Sequence, residues 1–150
     1  MVPEAKFNEL NYTFTINVSE QISKELRNQF KETLSIIDNK LISYYFNLNI
    51  NNIINYILKL NDWEIGYGLI AEDDEYWNLY EIFLQEEFRE LGLGTKLFEY
   101  IKNDSHKSNK KIRTYTLPSD RRAKNFYESN RITARVLIME EKRENSRYRP

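Results

Sequence analysis

The residues best suited to binding chemistry are an arginine and two glycines, Arg89, Gly92 and Gly94, in the stretch 88–97. An apolar segment with strand character, 79–84, precedes this stretch, and apolar residues with helical spacing follow it. A glycine turn that opens a helix exposes unpaired N–H groups at the positive end of the helix dipole. Such a turn can bind an anion, although the same glycines can also serve the geometry of the turn alone.

Three phosphate-binding patterns were compared with this turn. The P-loop pattern G-x-x-x-x-G-K-[ST] fails, because Gly94 precedes Thr95 and Lys96 but has no glycine five residues before it. The dinucleotide pattern G-x-G-x-x-G fails because Leu97 stands at the third glycine position. The pattern R/Q-x-x-G-x-G/A is matched completely, from Arg89 to Gly94.

Length and composition limit the classes of protein. The 150 residues predict one domain, 1–150, and the 41% that are hydrophobic are enough to form a core. The charged tail, 141–150, is expected to be flexible. The chain has no cysteine and one histidine, which excludes a thiol nucleophile and disfavours a metal site. A net charge of −1 disfavours a nucleic-acid partner. No apolar run is long enough for a membrane span, and we expect a cytoplasmic protein without a bound metal.

The apolar pattern also predicts an order of elements. We expect a strand at 12–18, one or two helices within 20–45 capped by Ser19, a meander of strands at 54–60, 63–71 and 76–84, a helix from the glycine turn to about 103, a strand at 111–117, a helix at 121–130 and a final strand at 132–139. This order is typical of an α/β domain with a mixed sheet, in which 76–117 forms a parallel, right-handed crossover.

A second motif, A-x-x-F-Y-E, occurs at 123–128, downstream of the glycine turn. Together the two motifs resemble the GCN5-related N-acetyltransferase (GNAT) superfamily over about 62–139. The resemblance implies an α/β (α+β) fold with a mixed, mostly antiparallel central sheet, a splayed parallel strand pair and flanking helices. Two motifs at the family's usual separation are more specific than either one alone.

The resemblance also implies acetyl-CoA as co-substrate. In the family the pantetheine arm pairs with the strand before the glycine turn, here near Phe83 and Leu84, and the pyrophosphate lies on the N–H groups that follow. The implied cofactor-binding residues are Phe83, Leu84, Arg89, Glu90, Leu91, Gly92, Leu93, Gly94, Thr95, Asp120 and Asn125. Asp120 departs from the family pattern, which often has asparagine at this position.

Two residues are candidates for the acyl-transfer chemistry. Tyr127 stands where the family commonly places a tyrosine that protonates the CoA sulfur, although it can equally pack in the core. Glu81 lies on the strand that enters the site and is a candidate base, with Glu75, Tyr76 or a chain of waters as alternatives. Without a cysteine, we expect direct attack of a primary amine on acetyl-CoA in a ternary complex.

The acceptor is not identified by any motif. In this fold it contacts the region corresponding to 20–52, and a small-molecule amine and a protein or peptide amine both remain open. Four aromatic residues are candidates to line its pocket: Tyr44, Tyr45, Tyr67 and Trp77. Residues 44–46 are equally suited to a homodimer interface. The alternative function is a non-catalytic acyl-CoA-binding regulatory module on the same fold.

Overall fold

The computed structural model describes residues 4–9, 11–47 and 49–141. Its helices and strands follow one another along the chain as β1 (Glu4–Glu9), β2 (Tyr12–Ser19), α1 (Lys24–Ile37), α2 (Asn39–Phe46), β3 (Ile53–Leu60), β4 (Trp63–Glu72), β5 (Tyr76–Leu84), α3 (Leu93–Lys107), β6 (Lys111–Thr114) and α4 (Arg121–Ser129). The predicted strands and helices up to α4 are present. β1 was not predicted, and the region 20–45 forms two helices.

The strands form one mixed sheet in the order β1-β2-β3-β4-β5-β6. Neighbours are antiparallel except β5 and β6, which are parallel. The sequence prediction of a parallel crossover through α3 is therefore confirmed, as is the mixed, mostly antiparallel sheet. A parallel pair needs a long connection, which α3 supplies.

Helices cover both faces of the sheet because alternate strand residues are apolar on each side. One cluster packs α3 and α4 on the sheet through Leu79, Leu97, Phe98, Ile101 and Tyr127. The other cluster packs α1 and α2 on the opposite face through Leu26, Phe30, Leu41, Tyr67 and Phe83. β5 contributes to both faces, so its side chains can reach both helix layers.

The helices α1 and α4 each begin with a side-chain oxygen at the N-cap. The N-cap of α1 is Ser23, whose Oγ accepts a 3.2 Å hydrogen bond from the Leu26 N–H, so the prediction of Ser19 was wrong. α4 is capped by Asp120, whose Oδ1 accepts from the Ala123 N–H at 3.1 Å. A side-chain oxygen at the N-cap satisfies an N–H group that has no partner inside the helix.

The predicted final strand at 132–139 was wrong. Residues 132–141 form neither helix nor strand, and Val136, Leu137, Ile138 and Met139 are exposed. Strand propensity reports packing on neighbouring strands, and no neighbouring strand meets this segment in the described chain. The expected flexible tail lies outside the described residues except for Glu141.

Candidate active site

A register shift in β5 opens the sheet beside β6. Opposite β4, Leu69 pairs with Glu81 while Ile70 pairs with Leu79, so Tyr80 is an extra residue in β5. The parallel pairing with β6 ends at Leu79, although β5 continues to Leu84. An extra residue bends a strand and increases its twist. Residues 80–84 of β5 are thus unpaired on the side that faces β6 in the described chain, which leaves a gap between β5 and β6.

The glycine turn lies at the end of β5 and leads into α3. Glu90 and Gly92 both have left-handed backbone conformations, with φ of 64° and 79°. Gly92 is the N-cap and offers no side-chain acceptor, and the first bond within the helix runs from the Lys96 N–H to the Gly92 carbonyl at 3.1 Å. The N–H groups of Leu93, Gly94 and Thr95 precede that bond. A left-handed turn that leads into a helix N-terminus is suited to an anion.

Replacement of Gly92 by alanine should lower the free energy of unfolding by about 1–2 kcal/mol, since an L-residue is strained at this φ. An alanine Cβ would meet no atom within 4 Å, so steric contacts contribute nothing. Urea unfolding would measure the effect. Glu90→Gly is the matched control, because it removes a side chain from a left-handed residue in the same turn. Equal losses in both variants, or none in Gly92→Ala, would contradict this account.

Two cations lie near the same helix start. The Arg89 Nε donates to the Leu84 carbonyl at 2.9 Å, and its guanidinium lies 5.3 Å from the centre of the Phe83 ring. Burial, and then the neighbouring charge of Arg122, lower the pKa of Arg89. Two guanidinium groups that repel each other beside a helix N-terminus would be stabilised by a bound anion. The cationic side chains and the exposed N–H groups therefore favour the same kind of ligand.

Glu81 is buried between two donors on the α1 and α2 face. Its Oε2 accepts from the Arg27 Nη2 at 2.6 Å, and its Oε1 accepts from the Tyr67 hydroxyl at 2.7 Å. Burial raises the pKa of Glu81, while Arg27 and Tyr67 oppose that rise. The Arg27 guanidinium also stacks 4.2 Å from the centre of the Phe46 ring. Both carboxylate oxygens are occupied, so Glu81 can take a proton only by exchanging one of these bonds.

Tyr127 lies on α4 within the opposite helix layer. Its side chain is buried against Phe98 and Phe126. Burial, and then the charges of Asp120 and Glu81, raise its pKa well above the ordinary value for a phenol. The hydroxyl is therefore protonated at neutral pH and is a donor rather than a base.

The remaining predicted residues fall into two groups. Asp120 is buried, and its Oδ2 accepts from the Tyr45 hydroxyl at 3.1 Å in addition to capping α4. Asn125 and Glu90 are exposed, and Leu91 is exposed beside the glycine turn. Phe83 is buried in the second cluster, so its side chain supports the strand and only its backbone can face the gap.

A polar cavity of about 420 Å³ lies between the loop before β3 and the strands β4 and β5, where Tyr80, the extra residue of β5, forms part of its lining. Its lining consists mainly of amides and carboxylates: Asn49, Ile50, Asn51, Asn52, Ala71, Glu72, Asp73, Asp74, Asn78 and Tyr80. Asn78 orders one wall, since it donates to Asp73 at 2.9 Å and accepts from the Arg113 Nε at 3.0 Å. The cavity therefore presents oxygen atoms and amides held in fixed positions.

Asp73 organises the turn at this cavity. Its carboxylate should make the fold less stable as the pH falls into the acid range. Its Oδ1 accepts from the N–H groups of Glu75 and Tyr76 at 2.9 and 2.7 Å. Hydrogen bonds from Asn78 and from these two N–H groups lower its pKa to about 2. A lowered pKa stabilises the fold above the unfolded-state pKa, and that stabilisation is lost as pH falls toward 2. Asp73→Ala should therefore lower Tm at pH 7, and its difference from the wild type should shrink as pH falls toward 2.

Thermal unfolding monitored by circular dichroism would test this, with Asp74→Ala as the control from the same turn. A Tm difference between Asp73→Ala and the wild type that stays constant from pH 7 to pH 2 would contradict the assignment.

Sequence reasoning missed three contributors to the site. Tyr80 was not singled out, yet it is the extra residue of β5, and its ring stacks on Tyr115 at 4.9 Å across the start of the gap. Arg27 had no local signal, because it is 54 residues from Glu81. Arg122 was not among the predicted binding residues. Trp77 was one of four candidates to line the acceptor pocket, but it packs on the α3 face.

The sequence matches a family model described as an acetyltransferase (GNAT) domain over residues 51–130. That match covers more than half of the chain, so the protein belongs to the GNAT family. The resemblance stated from the two motifs is confirmed. No match was found among curated proteins.

Solved structures share the fold at low sequence identity. A putative acetyltransferase from Pyrococcus furiosus has a TM-score of 0.65 at 19% identity, over 86% of this chain and 99% of that one. The aminoglycoside acetyltransferase meta-AAC0020, from an uncultured soil metagenomic sample and in complex with sisomicin, has a TM-score of 0.63 at 14% identity, over 89% and 97%. Aminoglycoside N-acetyltransferase AAC(6')-Iy in complex with CoA has a TM-score of 0.59 at 14% identity, over 85% and 98%. These likenesses support the fold.

The described residues contain neither a membrane-spanning helix nor a cluster of metal ligands. None of the helices in this part of the chain has the length and apolar character needed to cross a bilayer. The same residues contain no group of three or more metal-binding side chains.

Proposed function

We propose that this protein transfers an acetyl group from acetyl-CoA to a primary amine on a small molecule, by direct attack in a ternary complex. The observation that carries the proposal is the gap between β5 and β6, which ends at an anion-binding helix start. The gap offers unpaired strand edge for an amide-containing arm, and the helix start offers N–H groups for a phosphate. Acetyl-CoA carries both groups.

Different residues in and next to the glycine turn would bind different parts of acetyl-CoA. The N–H groups of Leu93 to Thr95 would hold the pyrophosphate, with Arg89 and Arg122 supplying positive charge beside them. The backbone of Phe83 and Leu84 would pair with the pantetheine arm. Because Arg89 already binds the Leu84 carbonyl, it also fixes the strand end against the turn.

The chemistry requires proton movements at two sites. The amine nitrogen attacks the thioester carbon, the oxygen of that carbonyl gains negative charge, and the carbon–sulfur bond then breaks. Tyr127, held protonated by its raised pKa, would give its proton to the leaving sulfur. The proton that the amine loses would pass to Glu81 or to water, and Arg27 and Tyr67 would hold the Glu81 carboxylate in position.

The cavity beside Tyr80 favours a small, polar, cationic acceptor over a long peptide. Glu72 and Asp73 already pair with Lys110 and Arg113, so Asp74 is the lining carboxylate that would attract an ammonium group, and the amides of the lining suit hydroxyl groups. Two of the solved relatives are aminoglycoside acetyltransferases, one in complex with sisomicin, which supports the same class of acceptor. An ammonium must lose a proton before it attacks, and Glu81 is the candidate group.

Release of CoA gives a direct test. Because the chain has no cysteine, a thiol-reactive dye would report CoA alone. Acetyl-CoA would be assayed with an aminoglycoside, a polyamine, an amino acid and two peptides, one with a free N-terminus and one with a free lysine. We expect CoA release with a small amine, intersecting double-reciprocal lines, and no acetylated protein by mass spectrometry. Release with a peptide alone would overturn the acceptor class.

A second candidate is an acyl-CoA-binding module without catalysis. The observation in its favour is that both oxygens of Glu81 are held by Arg27 and Tyr67. This module would show a rise in Tm with acetyl-CoA but no release of CoA with any amine. The assay above therefore separates the two functions.

A further inference from the structure

Two consecutive residues of β5, Tyr80 and Glu81, lie on the same face of the sheet. Residues of a strand normally alternate between its two faces. The alternation is interrupted here because Tyr80 is the extra residue of β5 opposite β4. Glu81 bonds to Arg27 of α1, and Tyr80 packs on the cluster that joins α1 and α2 to the sheet. The register shift therefore places a tyrosine side chain directly beside the candidate base.

The Tyr80 ring is held in place by a second tyrosine from the other side of the gap. Its centre lies 4.9 Å from that of Tyr115, which follows β6, and the two ring planes are nearly parallel, at 7°. The Tyr115 hydroxyl in turn donates to the Asn78 Oδ1 at 3.4 Å. Tyr115 thus covers one face of the Tyr80 ring, and Tyr80 also lines the polar cavity. A ring that is already fixed loses little entropy when a ligand binds against it.

Tyr44 of α2 lies close to this stacked pair. Burial, and then the neighbouring Tyr80 and Tyr115, raise the pKa of the Tyr44 hydroxyl to about 12. Burial also raises the pKa of Tyr127, and Tyr44 contributes to that rise. The three tyrosines therefore extend from the wall of the cavity toward the proposed reaction centre.

The chemistry of this cavity wall favours a positive group. The face of an aromatic ring is negative and attracts an ammonium group within about 6 Å of its centre. The same interaction occurs within the protein beside the cavity, since the Arg113 guanidinium lies 4.1 Å from the centre of the Tyr76 ring. Asp74 adds a carboxylate to the lining. A ring and a carboxylate in one cavity can thus bind a cation in addition to the amine that reacts at Glu81.

We propose that the acceptor carries a second ammonium group, which binds in the cavity against the Tyr80 ring while the reacting amine lies at Glu81. This inference rests on the proposed acetyl transfer and makes the acceptor an amine with at least two cationic nitrogens. The cavity lining includes Tyr80 and Asn78, which precede Glu81 on β5. From their spacing along a strand, the two nitrogens should lie roughly 3–10 Å apart. Tyr115 is then a positioning residue that holds the Tyr80 ring.

Pairs of acceptors that differ by one charge give the first test. Alkane diamines of increasing length would be compared with amino alcohols of the same length, in which a hydroxyl replaces one amine. We expect kcat/KM for CoA release to be about tenfold higher with the diamine of best length, the effect of one cation–π contact. The comparison allows for the two reactive ends of the diamine. Equal kcat/KM values within every pair would overturn the proposal.

Substitutions at Tyr80 test whether its ring causes that preference. Tyr80→Leu removes the ring and should remove most of the preference for the diamine, whereas Tyr80→Phe should keep most of it because the ring remains. Tyr12→Leu is the matched control, since Tyr12 is 56% exposed on β2, which β3 and β4 separate from β5. It should have the preference of the wild type. A preference that survives in Tyr80→Leu, or that is lost equally in Tyr80→Phe, would contradict the assignment to the ring.

Calorimetry separates this inference from the proposed function. The best diamine and its amino alcohol would be titrated into the wild type, Tyr80→Leu and Tyr12→Leu in the presence of CoA, so that no acetyl group can be transferred. Tighter binding of the diamine that is lost only in Tyr80→Leu supports the cation subsite, even if no amine releases CoA from acetyl-CoA and the proposed function fails. CoA release without any preference for the diamine in binding or in turnover overturns the subsite and leaves the proposed function in place.

Discussion

Tyr127→Phe should lower kcat by about 100-fold or more, the usual contribution of a positioned general acid. The change removes one hydroxyl and leaves the ring that packs against Phe98 and Phe126. The reason for a large effect is that the buried phenol stays protonated and can supply a proton to the leaving sulfur. Without it, the thiolate must leave unprotonated or take a proton from water.

Binding and turnover should separate in this variant. The rise in Tm with acetyl-CoA should be retained, because the glycine turn and Arg89 are untouched. Tyr100→Phe is the matched control, since Tyr100 is a half-buried tyrosine on α3 that packs against Tyr56. Steady-state CoA release and thermal unfolding would be measured for all three proteins. Unchanged turnover in Tyr127→Phe would remove Tyr127 from the role of acid and leave it a packing residue.

The sequence predicts the proposed acetyl-CoA part of this site better than the proposed acceptor part. The glycine turn and the Tyr127 helix are local patterns, because a left-handed turn and a helix start are encoded by adjacent residues. The gap between β5 and β6 is different. It depends on the extra residue Tyr80, which arises from the register of β5 against β4 and has no glycine or proline to mark it.

Sequence patterns also could not predict the contacts of Glu81. Its partners lie on α1 and β4, and both are ordinary residues in their own elements: Arg27 on the polar side of a helix and Tyr67 inside an apolar strand. Only the packed sheet brings them together. The error at 132–139 has a related cause, since a strand-like composition does not say which sheet edge will pair with it.

Arg27→Met should destabilise the fold and raise the pKa of Glu81. Removing the guanidinium leaves the Glu81 carboxylate in the interior with one partner, Tyr67. Loss of one member of a buried ion pair costs about 3–5 kcal/mol. We expect about 1–3 kcal/mol here, because 30% of the Arg27 side chain is exposed. Lys31→Met is the control, since Lys31 lies on the same helix over the same Phe46 ring, at 5.7 Å.

The direction of the pH effect follows from the charge that is lost. The pKa of Glu81 is already raised by burial from its ordinary value of 4.5, and Arg27 opposes that rise, so Arg27→Met raises it further. Below about pH 4 the carboxyl is neutral in both folded and unfolded chains, and the electrostatic cost of the variant is small. As pH rises, the Glu81 carboxyl ionises in the unfolded chain at a lower pH than in the folded variant. The free energy of unfolding that Arg27→Met loses therefore grows toward neutral pH.

The pH dependence of kcat/KM shows whether Glu81 acts as a base or only as a structural carboxylate. If Glu81 accepts the amine proton, the acid limb of kcat/KM moves to higher pH in Arg27→Met and disappears in Glu81→Gln, whose activity is low at every pH. If Glu81 only holds the fold, the limb stays in place in both variants. The double variant Arg27→Met/Glu81→Gln should recover most of the lost stability, because it buries no unpaired charge. A double variant no more stable than Arg27→Met would show that the loss comes from packing on Phe46 rather than from the ion pair.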